Sequence, residues 1–407
     1  MSDFYQVGVI ATFHKLEEDR RAALDRLESE LAQFGRHRPI ALVLPALASE
    51  FDGPALPAIL RELRDVRYLG RVVLSLDKAS AADFDRARRA LAELPAPSTV
   101  LWHDGPRLRS VYETLAAGQL TIGEQGKGRS CWMAAGYVLA EQHCKVIVLH
   151  DSDITTYDRS LLARLCYPVT NPSMGYDFCK GYYPRVSQGR MHGRVTRLFM
   201  TPLIRSLYRM VGHHDFLVYL DSFRYVLAGE FSMRTELARV NRIPGDWGLE
   251  VGTLAEVYRN TSVRRVCQVA LLDRYDHKHQ ALSADDASTG LLRMTVDIAK
   301  SVFRTLASEG LVLSAGSFRT LAATYVRTAE DTIKRFRDDA MVNGLDFDIH
   351  SEELAVATFA RAIDIAGQQF LADPLGTPLI PNWNRVISAV PDAFDQLKNA
   401  VDRDNEG

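Results

Sequence analysis

Short apolar runs alternate with helix-like patterns over roughly the first two thirds of the chain. The candidate strands are the apolar runs at residues 40–44, 71–76, 99–103, 146–150, 178–183 and 266–272. Between them the spacing of apolar residues predicts helices over 54–66, 80–93, 107–118 and 128–142, and a proline-rich loop over 168–173. Strands that alternate with helices in this way predict an α/β fold with a doubly wound, mostly parallel sheet.

Both ends of the chain have a helical pattern. Residues 15–34 repeat apolar positions at helical spacing and predict an amphipathic helix. After about residue 280, the pattern predicts helices over 285–309, 317–340, 350–372 and 382–402. We therefore divide the chain into an N-terminal helical segment (1–37), an α/β domain (38–283) and a helical C-terminal region (284–407), whose helices also make a homodimer plausible.

Composition narrows the class of protein. With 47% hydrophobic and 25% charged residues the chain has the composition of a globular protein, and its net charge of −2 argues against a general surface for nucleic acid or anionic membranes. The five cysteines are scattered without a Cys-x-x-Cys pair, which is typical of reduced thiols in a cytoplasmic protein. The first 14 residues are too polar for a signal peptide, and no stretch reaches the ~18 apolar residues of a membrane span.

The most informative stretch is 145–153, where an apolar strand runs into Asp151-Ser152-Asp153. Polar groups at the carboxyl end of a buried parallel strand face the crevice where α/β sheets bind ligands. The two carboxylates share one side of an extended chain, so they can meet one Mg²⁺ or Mn²⁺ ion beside a nucleoside diphosphate. A solvated turn after a strand is the alternative.

Two stretches that combine glycine with a cation flank this turn. Gly126-Lys127-Gly128 opens a predicted helix; it permits close approach of a phosphate, but it is not a P-loop and a plain turn also explains it. Gly193-Arg194-Val195-Thr196 begins a predicted helix that runs through Tyr208. Free amides, a hydroxyl and an arginine there can hold a carboxylate or phosphate, unless the stretch is simply a helix start with surface arginines.

Two later stretches add a carboxylate and an imidazole. Glu250 lies in the first turn of a predicted helix, where it either compensates the helix dipole or hydrogen-bonds hydroxyls of a sugar or acceptor. His277 and His279 follow the strand at 266–272. A neutral imidazole is a good third ligand for a cation held by two carboxylates, although a polar surface turn also fits.

Taken in order, these motifs resemble those of the retaining glucosyl-3-phosphoglycerate synthases, which are GT-A glycosyltransferases related to mannosylglycerate synthases. The resemblance covers residues 38–283 and rests on the order of residues 43–47 (Val-Leu-Pro-Ala-Leu), Gly126-Lys-Gly128, Asp151-Ser-Asp153, Gly193-Arg-Val-Thr196, Gly229-Glu230, Gly248-Leu-Glu250 and His277. It implies a GT-A-type nucleotide-sugar-binding sheet. It also implies a metal-dependent hexosyltransferase that moves glucose from a nucleoside-diphosphate sugar to 3-phosphoglycerate, or to glycerate.

The resemblance also implies a role for each matching residue. The nucleotide and its sugar would contact Pro45, Ala46, Leu47, Lys127, Asp151 and Ser152. Asp153 and His277 would hold Mg²⁺ or Mn²⁺. The catalytic residues would be Asp151, close to the donor sugar, and Glu250, which would position hydroxyls of the donor sugar or of the acceptor. The acceptor would lie against Gly193, Arg194, Val195 and Thr196.

The chain departs from the family in two places that bear on the donor. Ala48-Ser49-Glu50 stands where the family has Asn-Glu-Glu, and residues 75–80 stand where it has Asp-x-Gly-Ser-x-Asp. The base of the donor (UDP, GDP or ADP) therefore stays open, as do its sugar and the phosphorylation of the acceptor.

Three other functions compete with this interpretation. A sugar-phosphate nucleotidylyltransferase usually has a glycine-rich basic loop after the first strand, and residues 45–52 lack one. A non-catalytic nucleotide-sugar-binding module would keep the same pocket. An inverting transferase would need a general base such as Glu230 or Asp246, whereas in a retaining reaction the leaving diphosphate itself can accept the proton.

Overall fold

The computed structural model describes residue 6 and residues 8–244, 248–277 and 290–406. Its strands are β1 Ala11–Phe13, β2 Ile40–Leu47, β3 Leu69–Asp77, β4 Ser98–Trp102, β5 Val146–Leu149, β6 Phe178–Tyr182, β7 Val186–Ser187, β8 Arg190–Met191, β9 Phe231–Arg234 and β10 Val266–Ala270. Within the described residues, eight strands form one sheet in the order β1-β10-β6-β9-β5-β2-β3-β4, and β7 pairs with β8 as a small hairpin. The predicted doubly wound α/β fold is confirmed.

One strand runs against the rest, and this decides what lies at the site. β9 pairs antiparallel with both β5 and β6, while the other pairs in the main sheet are parallel. The carboxyl ends of the parallel strands therefore share one edge with the amino end of β9. That edge brings the Asp-Ser-Asp turn after β5 close to Gly229 and Glu230, which precede β9.

Side chains alternate between two hydrophobic cores, one on each face of the sheet. Along β2, Val43 belongs to one core, whereas Leu42 and Leu44 belong to the other. This is the period of two expected for a strand that is covered on both faces. The helices that cover the α/β part are α1 Arg20–Phe34, α2 Ala55–Leu63, α3 Ala81–Leu91, α4 Pro106–Ala117, α5 Lys127–Glu141, α6 Arg159–Thr170, α7 Thr201–Val211, α8 Asp215–Asp221, α9 Thr235–Val240 and α10 Leu249–Asn260.

The N-terminal segment is more than a helix. The predicted helix over 15–34 begins later, at Arg20, because the side chain of Asp19 caps it by accepting hydrogen bonds from the backbone of Arg21 and Ala22. In front of it, β1 adds an edge strand to the sheet beside β10. The division at residue 37 therefore missed a strand of the main sheet.

The C-terminal helices are α11 Gly290–Ser308, α12 Ala315–Val342, α13 Ile349–Ala372, α14 Trp383–Ala389 and α15 Ala393–Asn405. The single helix predicted over 382–402 is wrong, because the chain breaks between α14 and α15 around Pro391, which has no N–H to donate. The loop predicted over 168–173 begins late, since α6 continues through Pro168 to Thr170.

The end of the chain returns to the α/β domain. α15 packs on α4, α5 and β4. The side-chain amide of Asn405 accepts a hydrogen bond from the backbone N–H of Val100 at 3.0 Å and donates to its carbonyl at 2.8 Å. None of the helices in the described part of the chain has the length and apolar character that crossing a bilayer requires.

Candidate active site

The Asp-Ser-Asp turn is held in place by buried polar contacts. Ser152 is buried, and its hydroxyl donates to the carbonyl oxygen of Pro45 at the end of β2 over 2.8 Å. His150 is fully buried, with Nδ1 2.9 Å from the carbonyl oxygen of Asp151. The predicted nucleotide contact Ser152 thus ties two neighbouring strand ends together. Asp151 and Asp153 gain a fixed direction from these contacts.

The structure brings the predicted metal ligands together. Ligand atoms of Asp151, Asp153 and His277 all lie within 4.8 Å of one another, and Asp153 Oδ2 is 3.6 Å from His277 Nδ1. His277 reaches the site because it bridges Ile154 antiparallel, and Thr155 donates its N–H to the carbonyl of Asp276 beside it at 3.0 Å.

These residues suit a divalent cation. Two carboxylates and an imidazole are a donor set that Mg²⁺ and Mn²⁺ accept. The Oδ1 atom of Asp153 is buried and has no hydrogen-bond partner among the described residues. A buried carboxylate oxygen without a partner is costly, and a bound cation would remove that cost.

Lys127 connects this cluster to Glu250. At the first position of α5, its Nζ lies 2.6 Å from Asp151 Oδ1 and 3.3 Å from Oε1 of Glu250. Burial alone would lower the pKa of Lys127, but the two carboxylates outweigh it and raise that pKa above its ordinary value. Burial would raise the pKa of Asp151, and Lys127 instead holds that pKa below its ordinary value. Asp151 and Glu250, which were predicted to act near the sugar, and Lys127, a predicted nucleotide contact, thus form one ion-paired group.

Gly229 and Glu230, which come just before β9, form a second layer of residues next to this cluster. A side chain at Gly229 would bring a Cβ within 2.6 Å of Asp151 Oδ2, so only glycine allows this approach. Glu230 is fully buried and accepts hydrogen bonds from the hydroxyls of Tyr183 at 2.6 Å and Tyr275 at 2.5 Å. Burial, and then the charge of Asp151, raise the pKa of Glu230.

The buried position of Glu230 argues against an inverting mechanism in which this residue is the general base. A general base must reach the acceptor hydroxyl. Both oxygens of Glu230 are engaged inside the protein, so it does not meet that requirement. The other residue considered for this role, Asp246, lies outside the described residues.

The predicted nucleoside contacts lie at the carboxyl end of β2. Pro45 is half-buried, Ala46 is buried and Leu47 is exposed. In register with Leu47 stands Asp77, a buried carboxylate at the end of β3 that accepts hydrogen bonds from Gln125 and Ser130. The sequence had marked this region only as a departure from the family.

The predicted acceptor residues form one short segment, Gly193 to Thr196, which we call the acceptor segment. Gly193 has φ +74°, a left-handed conformation that favours glycine, and Arg194 follows it. Val195, half-buried, begins a π-helical turn, Val195–Met200, that leads into α7, so the predicted helix is present with an unusual first turn. Thr196 is buried, and its hydroxyl has no hydrogen-bond partner among the described residues.

The structure adds residues to this segment that the sequence did not indicate. Arg194 donates from Nε to Oε1 of Glu352 at 2.7 Å and from Nη2 to the hydroxyl of Ser351 at 2.8 Å. Arg197 donates to the other oxygen of Glu352 at 3.0 Å. Glu352 lies on α13, more than 150 residues away along the chain. Arg197 had a local signal, its position one helical turn after Arg194, whereas Glu352 had none.

Two curated relatives match nearly the whole chain. A glucosyl-3-phosphoglycerate synthase of Persephonella marina is 47% identical over 405 residues, which is 100% of this chain and 99% of the relative. One of Methanococcoides burtonii is 38% identical over 402 residues, 98% of this chain and 97% of the relative. No family model matches the chain.

Solved structures show the same fold at lower identity. Glucosyl-3-phosphoglycerate synthase of Mycobacterium tuberculosis in complex with phosphoglyceric acid is similar with a TM-score of 0.54 and 18% identity, over 76% of this chain and 90% of that one. The complex of that enzyme with Mg²⁺ and UDP gives 0.53 and 20%, over 76% and 89%. The length and identity of the two curated matches settle the family: this chain belongs to the glucosyl-3-phosphoglycerate synthases.

Proposed function

We propose that this protein is a metal-dependent retaining glycosyltransferase that moves glucose from a nucleoside-diphosphate sugar to 3-phosphoglycerate. One observation carries the proposal from the structure: Asp151, Asp153 and His277 converge at the carboxyl edge of the sheet, and Lys127 joins them to Glu250. The family supports the same activity, since both curated relatives are named for it.

UDP-glucose is the donor we propose, with Mg²⁺ or Mn²⁺. The Mycobacterium tuberculosis enzyme has been crystallised with Mn²⁺, UDP-glucose and phosphoglyceric acid together. In this chain Pro45, Ala46 and Leu47 would receive the nucleoside, and Asp153 and His277 would hold the cation. When bound, the cation supplies positive charge against the diphosphate.

The residues of the chain contribute mainly by position and charge. Glucose transfer breaks the bond between the anomeric carbon and the diphosphate oxygen and forms a bond to the acceptor hydroxyl, whose proton goes to the departing diphosphate. Lys127, whose pKa the neighbouring carboxylates raise, would lie near that diphosphate, and it pairs with Asp151 and Glu250 where the sugar would lie. The described residues thus provide a fixed charged surface around the reacting bond.

Acceptor binding falls to the acceptor segment. Arg194 offers a guanidinium and Thr196 a hydroxyl that has no partner among the described residues, and both suit an anionic acceptor. Phosphoglycerate offers two anionic groups and glycerate one, so we expect phosphoglycerate to be preferred. The homodimer and the cytoplasmic location stay predictions, and light scattering of the purified chain tests the first.

The test is a matrix of donors and acceptors with purified protein. UDP-, GDP- and ADP-glucose and GDP-mannose are each combined with 3-phosphoglycerate, glycerate and glycerol 3-phosphate, with Mg²⁺ or Mn²⁺ or a chelator. We expect release of UDP with 3-phosphoglycerate and cation, and an α-linked product by NMR. Pyrophosphate release from a nucleoside triphosphate would instead indicate a nucleotidylyltransferase, and a β-linked product would indicate inversion.

A further inference from the structure

A buried carboxylate of the helical C-terminal region pairs with the acceptor segment. Glu352, in the first turn of α13, has a side chain that is 5% exposed. Its two oxygens accept hydrogen bonds from different arginines, Arg194 at 2.7 Å and Arg197 at 3.0 Å. A buried carboxylate costs several kcal/mol unless it is paired and hydrogen-bonded, and here both oxygens are satisfied.

Each arginine is fixed by a second group. Nη2 of Arg194 donates to the hydroxyl of Ser351. Nε of Arg197 donates to the carbonyl of His192 at 2.9 Å, and its guanidinium lies 4.8 Å from the ring centroid of Phe336 on α12. Two guanidinium groups therefore share one carboxylate and keep one net positive charge. Burial lowers the pKa of Arg197, against the opposing charge of Glu352, as expected for a cation kept mostly away from water.

Arg197 and Thr196 each have a hydrogen-bonding group that no described residue contacts. Nη1 of Arg197 and Oγ1 of Thr196 are buried and have no partner within the described residues. Buried polar groups are normally paired, so these two unsatisfied atoms make the start of this helix a candidate for contact with a ligand. An anionic acceptor could take a hydrogen bond from either of them.

Other contacts from the C-terminal region hold the residues on either side of the acceptor segment. The hydroxyl of Tyr325 on α12 donates to the carbonyl of Leu198 in the π-helical turn at 2.6 Å. The ring of Phe199 packs on Phe359 of α13, with centroids 5.5 Å apart. Asp346, just before α13, donates its N–H to the carbonyl of Gly189 in the β7–β8 hairpin at 2.8 Å.

We infer that Glu352 is a positioning residue for acceptor binding: it orients Arg194 and Arg197 so that their remaining donors face the anionic acceptor. The C-terminal region thereby forms one wall of the acceptor site. This inference rests on the proposed function. It differs from a competing arrangement in which Glu352 merely occupies the place of the acceptor and must be displaced.

The two arrangements predict opposite changes. In Glu352→Gln the arginines lose the carboxylate that orients them, so the acceptor Kd and KM should rise about tenfold, as for loss of a charged hydrogen bond. The donor KM and kcat should change by less than about twofold. Titration calorimetry of the full chain with 3-phosphoglycerate, in the presence of UDP and Mg²⁺, measures Kd without turnover. An unchanged or lower acceptor Kd overturns the inference.

Matched variants separate positioning from general damage. Glu353→Gln alters the next, exposed residue of α13 and should leave the acceptor Kd unchanged. In the Arg194→Ala background, Glu352→Gln should add much less than it does alone, because part of its effect passes through Arg194. Full additivity in that cycle contradicts the inference.

A milder variant covers the case in which Glu352→Gln does not fold. Ser351→Ala removes the hydroxyl that Arg194 contacts and leaves the buried ion pairs intact, so the acceptor Kd should rise about threefold, as for a single hydrogen bond. No rise overturns the inference. If the wild-type chain uses 3-phosphoglycerate but both variants bind it normally, the inference fails alone; if the wild-type chain uses no such acceptor, the proposed function fails as well.

Discussion

The donor side of the site is built on strand ends, whereas the acceptor side is built on contacts between distant helices. Asp151 and Asp153 follow β5, the nucleoside contacts at 45–47 are the last residues of β2, and the hydrogen bond from Ser152 to Pro45 joins the two. The acceptor segment instead lies between a two-strand hairpin and α13, where Glu352 pairs with Arg194 and with Arg197 just after the segment.

The donor side and the acceptor side differ in the contacts that fix their geometry. The sheet register fixes the donor side, so a substitution there should remove chemistry and leave the geometry of its neighbours intact. The acceptor side depends on a buried ion pair between two parts of the chain, so substitutions there should change binding more than turnover. The predictions below test this contrast, beginning with the largest expected effect.

Asp153→Ala should abolish nearly all turnover, by about a thousandfold or more, because a cation ligand supplies several kcal/mol to the charged transition state. Thermal stability should change little, since Oδ1 of Asp153 has no hydrogen bond to lose within the described structure. Initial rates at saturating Mn²⁺, together with melting curves, measure both. Asp25→Ala, an exposed carboxylate on α1, is the control. Near-normal rates in Asp153→Ala would remove this residue from the metal site.

Lys127→Met should lower kcat/KM for the donor by about 10–100-fold, the usual cost of a hydrogen bond to a charged group. The loss also leaves Asp151 without its counterion, so the pKa of Asp151 should rise. Steady-state kinetics in donor and acceptor separately measure the effect. Lys145→Met, at an exposed lysine, is the control. An effect confined to the acceptor KM would contradict the contrast between the two halves.

Stability should fall on acidification because of a histidine buried beneath the donor side. Burial lowers the pKa of His103 to about 4, and the nearby charge of Asp77 only partly offsets this. Below the ordinary histidine pKa near 6.5, the unfolded chain takes up a proton that the folded protein does not, so stability is lost as pH falls from about 6.5 toward about 4.

His103→Gln should therefore flatten the pH dependence by on the order of 2 kcal/mol between pH 6.5 and 4.5. Part of the slope should persist, because burial also lowers the pKa of His150 to about 4. Urea unfolding at the two pH values measures the difference. His213→Gln, an exposed site, should leave the slope as in the wild type. An unchanged slope in His103→Gln would mean that His103 takes up its proton in the folded protein.

Asn405→Ala should have the smallest effect, a loss of about 1–2 kcal/mol in the free energy of unfolding, since two hydrogen bonds to Val100 disappear. Acceptor and donor KM should stay within about twofold of the wild type, because the side chain of Asn405 bonds β4 and its own helix rather than the predicted site residues. Denaturant titration and kinetics check both parts. Asn384→Ala on α14 offers a control at an exposed position.

The pattern of apolar and polar residues was enough to predict those features that depend on residues close together in the sequence. The strand before Asp151 was predictable because four buried apolar residues precede a polar turn. β1 was missed because three residues are too few to show a period, and the break at Pro391 was missed because the apolar spacing continues past it. Ligand chemistry suggested His277 as a third metal ligand beside the two aspartates, and the order of motifs in the resemblance favoured that role over a polar surface turn.

Tertiary contacts explain what could not be predicted. Nothing around Glu352 distinguishes it from an ordinary glutamate in the first turn of a helix, a place that carboxylates favour for the helix dipole alone. Its partners become visible only when α13 is packed on the π-helical turn. Arg194 was predicted from the sequence, but Arg197 and the carboxylate that pairs with both arginines were not.

The amide of Asn405 has a consequence beyond its own two bonds. β4 is the last strand of the sheet, and its outer N–H and C=O groups would otherwise be open to a strand from another molecule. The amide of Asn405 pairs with the N–H and C=O of Val100 as a peptide unit would. It therefore hinders pairing of this edge strand with a strand of another molecule. Shortening the chain by a few residues should therefore reveal itself first as a tendency to aggregate on storage.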